Sequence, residues 1–77
     1  MIDLNELLPS FGWHRGMLMG EELEDEWFKD RAEIRLYDNH LVYYAHSEWI
    51  YGDTYFYSGL TLVDNKLVYE DGSYLPL

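Results

Sequence analysis

Seventy-seven residues make one domain, 1–77, and a chain of that length buries only roughly 60% of its unfolded surface, so its stability margin is thin. The absence of cysteine excludes a disulfide framework and the Cys/His metal patterns, and suits a reducing compartment. Fifteen Asp and Glu against five Lys and Arg give a net charge of −10, which repels nucleic-acid backbones and anionic lipid and attracts a basic protein.

The charge is divided evenly, −5 over residues 1–31 and −5 over 32–77. Eight Tyr, three Trp and three Phe offset the small size, because each large ring buries about 150 to 250 Å². The N-terminus carries no basic n-region and the apolar runs are only a few residues long, which argues against secretion and against a spanning helix. A cytoplasmic protein is expected.

Residues 3–8 read as a short helix, with Asp3 as cap, Glu6 at capping-box distance, and Leu4, Leu7 and Leu8 on one side. Pro9 is expected to stop it. From Ser10 to Gly20 there are three glycines and no clear period, which predicts an irregular or extended linker with room for a short strand, sending Trp13 and Met17 into the core. Glu21–Arg31 reads as a second helix with Leu23, Trp27 and Phe28 as its buried stripe. Its acids Glu21, Glu22, Glu24, Asp25 and Glu26 fill the first two turns, and Lys29 and Arg31 the last, a distribution matched to the helix dipole. A solvated, dipole-matched face is the plain structural account of that acidic run.

From Ala32 the period changes to two. The phrase Ile34-Arg35-Leu36-Tyr37-Asp38-Asn39-His40-Leu41-Val42-Tyr43 returns as Leu60-Thr61-Leu62-Val63-Asp64-Asn65-Lys66-Leu67-Val68-Tyr69. Both copies read as β-hairpins turning at Asp-Asn, since these residues tolerate the left-handed backbone of a tight turn. Two-residue turns set Leu36 opposite Leu41, Ile34 opposite Tyr43, Leu62 opposite Leu67 and Leu60 opposite Tyr69, all on one face. Two copies are too few for a solenoid.

Between the copies, 48–51 and 54–58 are expected as a third and fourth strand joined at Gly52-Asp53, with a loop over 46–53 as the alternative. Ser58-Gly59 breaks the chain, and the tail turns at Asp71-Gly72 into a short edge strand that Pro76 ends. The fold class is α+β: a small antiparallel meander of four to six strands with one or two short N-terminal helices. The second helix is expected to lie across the face of the eight paired residues, with Leu62 central.

His14, His40 and His46, with Glu48 or Asp53, lack a His pair at i, i+4 and any HExxH pattern, so no metal site is expected. There is no Gly-rich phosphate loop, nucleophile elbow or cysteine nucleophile, and fifteen acids are not a catalytic pair without a cleft that separates their pKa values. Neither enzyme activity nor a cofactor is expected. Aromatic sheets that stack single-stranded bases pair their rings with Lys and Arg, whereas this sheet has Arg35 and Lys66 among many acids. Tyr37, Tyr44, Tyr51, Tyr55 and Tyr57 therefore read as core or protein-interface residues.

Glu22 with Asp25 and Glu26, at helical spacing, would form a rigid row of charge able to replace phosphates against Lys and Arg. In size, charge and aromatic sheet the chain resembles the small acidic inhibitors of phages and mobile elements. That resemblance implies a non-enzymatic protein occupying the basic, nucleic-acid-binding surface of a partner, through Glu21, Glu22, Glu24, Asp25, Glu26 and Asp30. An immunity or antitoxin-type protein neutralising a basic toxin is the alternative, and a self-assembling structural domain with incidental acidity a third. The sheet face opposite the core keeps Tyr37, Val42, Tyr44, Val63 and Val68, a candidate homodimer face.

Overall fold

The computed structural model describes residues 3–45 and 52–77. In chain order it runs α1 (Leu4–Ser10), β1 (His14–Leu18), β2 (Glu21–Lys29), β3 (Ala32–Leu36), β4 (His40–Tyr44), β5 (Asp53–Phe56), a 3₁₀ turn (Tyr57–Gly59), β6 (Leu60–Val63), β7 (Lys66–Tyr69) and β8 (Tyr74–Pro76). Strands β1 to β5 form one antiparallel meander in sequential order, and β6 to β8 form a second sheet of three strands. The class is α+β, mostly antiparallel sheet with one short helix. Among the described residues, five strands plus three exceed the four to six expected, and they divide into two sheets because the 3₁₀ turn redirects the chain at the Ser58-Gly59 break.

Asp3 caps α1, its side chain accepting the Asn5 N–H at 3.1 Å. Leu4 and Leu8, one turn apart, are the buried stripe. Pro9 does not stop the helix, which runs one residue further; a proline in the last turn lacks only a donor that the turn before it would have bonded. The stop comes from a Schellman motif. Gly12, at φ +92, donates to the Pro9 carbonyl, and Trp13 donates to Leu8, both at 3.1 Å. Trp13 is thereby turned into the core.

The expected second helix is absent, and Glu21–Lys29 is the longest strand of the first sheet. Two-residue chain reversals bound it, at Met19-Gly20 and at Asp30-Arg31. Leu23 and Trp27 fit a helical stripe, but they also fit period two. As a strand the segment completes two hydrogen-bonded ladders and sets Trp27 beside Ile34, and that tertiary gain overrides the helix propensity of its Glu and Leu residues. The linker before it is largely β1, and Met17 is 61% exposed instead of joining the core.

In the sheets Ile34 pairs with Tyr43 and Leu36 with Leu41, while Leu60 pairs with Tyr69 and Leu62 with Leu67. The turn backbone is not uniformly left-handed: of Asp38, Asn39, Asp64 and Asn65, only Asp64 has positive φ. β5 pairs with β4, setting Asp53 opposite Tyr43 and Tyr55 opposite Leu41, so Asp53 is a strand residue and the expected strand ends before Ser58, at Phe56. The expected strand 48–51 and Tyr51 lie outside the described residues. β8 is the short edge strand of the tail, paired with β7.

One core joins both sheets and the helix: Leu4, Leu8, Trp13, Trp27, Ile34, Leu41, Tyr55, Leu67 and Leu75. Tyr55 and Tyr69 meet edge to face with ring centroids 5.1 Å apart, one ring from each sheet. Leu62 is not central. It is 40% exposed while its partner Leu67 is fully buried, because β6 is an edge strand and its outer residues overhang the core.

Candidate functional site

Extended backbone redistributes the acids of β2. Its ladder to β1 shifts register, Arg15 meeting Trp27 and Met17 meeting Glu22, so that residues 23–26 of β2 stand against Gly16 alone and Glu24 and Asp25 lie in a bulge between the two paired ends. The helical grouping of Glu22, Asp25 and Glu26 on one face therefore does not form. Glu21, Glu22, Glu24 and Asp25 are exposed, and Asp30 stands in the β2–β3 turn with φ 54. Glu26 differs: it is half-buried, 3.5 Å from the Arg35 guanidinium.

Arg35 also holds Glu33, whose carboxylate lies 2.7 Å away and is almost fully buried. The hydrogen bond to Glu33 is the main cause that raises the guanidinium pKa, and the Tyr44 ring lies 5.2 Å beneath it. Glu33, Glu26 and Arg35 are thus a structural network on the outward side of the first sheet, and Glu26 is drawn out of the free acidic surface.

Asp25 falls one step beyond the last β2–β3 pair, Glu26 with Arg35, and so lies level with Leu36 on the core side of the strand. There it meets two acids that the chain places far away. Asp3, Leu4, Asn5, Asp25, Leu36, Tyr37, Asp38 and Tyr57 line an open cleft of about 420 Å³. The 3₁₀ turn fixes one wall: the Tyr57 hydroxyl donates to the Tyr37 carbonyl at 2.7 Å and its N–H donates to Asn39 at 3.1 Å. Burial raises the Tyr57 pKa, and the negative charges of Asp25 and Asp38 add to it. Three carboxylates around an apolar floor suit the head and stem of a Lys or Arg side chain.

Two expected site residues line this cleft, Asp25 of the acidic set and Tyr37 of the candidate dimer face; Asp3 and Asp38 were missed, because the first read as a helix cap and the second as a turn residue. Of the candidate dimer face, Val42 and Tyr44 lie on the outward side of the first sheet and are half-buried, and a methyl group at Gly52 would collide with both. Val63 and Val68 lie on the outward side of the second sheet, and Tyr37 stacks on His40 at 4.8 Å, so the five residues are divided between two surfaces. Among the described residues, no three His, Asp or Glu side chains are gathered to hold a metal, and His46 and Glu48 lie outside them. No described helix is long and apolar enough to cross a membrane. Compared with protein-family models, with curated proteins and with solved structures, the chain matches none.

Proposed function

We propose that the chain is a non-enzymatic acidic binding protein of the phage or mobile-element inhibitor type, occupying the basic, nucleic-acid-binding surface of a partner protein. One observation carries the reading. Along β2, Glu21, Glu22, Glu24 and Asp25 are exposed and, among the described residues, none of the four has an ion-pair partner. Unneutralised charge gathered on one short segment repels its own kind and is relieved by a cationic partner, which also steers the encounter. The phosphate-replacing role passes from the expected helix to the acids of this strand and its bulge. Asp3, Asp25 and Asp38 add a recess for one basic side chain.

The test uses immobilised wild-type chain and a Glu22→Lys, Glu24→Lys, Asp25→Lys variant in lysate of the cell that encodes it, eluted with a salt gradient. The expected result is a nucleic-acid-handling protein held by wild type, lost with the variant, and displaced by an oligonucleotide in a purified competition assay. Retention that is flat with salt, or a captured protein that oligonucleotide leaves in place, overturns the reading.

A further inference from the structure

The β1–β2 hairpin reaches past the sheet it belongs to. β3 pairs only with Glu26–Lys29 of β2, and β1 pairs with Trp27 and Phe28 and again with Glu21 and Glu22 after a register shift between Arg15 and Met17. The tip of the hairpin, residues 17–22, is thus held by β1–β2 pairing alone and lies beyond the bulged residues 23–25. At the end of this arm, Leu18 pairs with Glu21 across a two-residue loop, Met19-Gly20. Both loop residues have positive φ, 53 and 85, the type I′ geometry whose first position favours Asn, Asp or Gly. Met19 therefore fits neither the turn nor the core. It is 96% exposed, and Met17 and Leu18 are each 61% exposed. Three apolar side chains crown the arm, and Glu21, Glu22 and Glu24, all exposed, follow at once.

We propose that Met17, Leu18 and Met19 are the anchor by which the chain enters an apolar pocket rimmed by Lys and Arg on its partner protein. This rests on the basic-partner reading above and specifies its contact. Charge complementarity selects the occupant. A bilayer would draw Glu21 and Glu22 into its interface along with the tip, and a second copy would bring −10 against −10, whereas a pocket with a cationic rim satisfies the apolar tip and its acids together. Methionine is unbranched and polarisable, and it adapts to a pocket it did not fold against.

The test selects peptides from a displayed random library on the full chain at low salt, then measures the enriched peptides against three proteins. These are wild type, a tip variant (Met17→Ser, Leu18→Ser, Met19→Asn) and an acid variant (Glu21→Gln, Glu22→Gln, Glu24→Gln). The expected peptides place Lys and Arg around a large apolar residue. The tip variant should bind them on the order of tenfold more weakly or worse, and the acid variant should lose their salt dependence. Asn at position 19 suits the turn, so the single Met19→Asn variant stays folded and should show a smaller loss of its own. Basic peptides that bind the tip variant as well as wild type overturn the anchor and leave the basic-partner reading standing. Enriched peptides without basic residues overturn that reading itself. Co-sedimentation of wild type, but not the tip variant, with phosphatidylcholine vesicles assigns the tip to a bilayer, and a wild-type dimer that the tip variant abolishes assigns it to a second copy; either result overturns the proposal.

Discussion

Arg35 and Glu33 stand two residues apart on one side of β3, with guanidinium Nε and carboxylate at 2.7 Å. Their exposures are unequal: the Glu33 side chain is 3% exposed and that of Arg35 is 40%. The acid is therefore covered by its partner, and removing the partner leaves a largely desolvated carboxylate without its counter-charge. Arg35→Ala is expected to destabilise the fold by about 2 to 3 kcal/mol, less than the loss of a fully buried pair because Arg35 already shares its charge with solvent. Adding Glu33→Gln should recover part of the loss. Urea unfolding of the single and double variants measures this, and a double variant less stable than Arg35→Ala would contradict it.

Leu62 and Leu67 face each other across β6 and β7, yet only Leu67 is in the core. Leu67→Ala is expected to cost about 2 to 5 kcal/mol, a large part of the stability of so small a domain. Leu62→Ala should stay within about 1 kcal/mol of wild type. Equal thermal midpoints for the two variants would show that β6 is buried more deeply than its edge position implies.

Lys29 ties three distant pieces of chain together. Its ammonium donates to the Phe11 carbonyl at 2.8 Å, where α1 ends, and to the Leu77 carbonyl at 2.9 Å, just past β8. Hydrogen bonds to a charged donor contribute about 1.5 to 3 kcal/mol each when buried. At this half-buried position, Lys29→Met is expected to cost about 2 kcal/mol in total. Hydrogen exchange should then show the amides of α1 and of β8 losing protection together while those of β3 and β4 keep theirs.

Stability should fall on the alkaline side. Burial raises the pKa of Tyr43, Tyr55 and Tyr57 above the ordinary 10.0, with Asp53 adding to the first two and Asp25 and Asp38 to the third. The folded state thus holds these phenolic protons more tightly than the unfolded state, so their contribution is complete below about pH 10 and is lost as pH rises through the folded values. The urea midpoint should be flat from neutrality to mildly alkaline pH and then decline as tyrosinate forms. A midpoint that does not move through the tyrosine titration would contradict it.

The repeat around Asp-Asn carried its register in plain view, because period two and one two-residue turn decide which residues face each other, and Ile34, Leu41 and Leu67 are fully buried. Composition alone determined the net charge of −10. What residues 21–31 become was not legible locally. Leu23 and Trp27 satisfy helix and strand periods alike, and the choice depended on ladders to His14–Leu18 on one side and Ala32–Arg35 on the other. The same tertiary decision scattered the expected acidic face. It paired Glu26 with Arg35, left Glu21, Glu22 and Glu24 on a projecting arm, and brought Asp25 to Asp3 and Asp38. Burial and backbone pairing compare contacts far apart in sequence, and a local pattern holds no record of which distant partner will complete it.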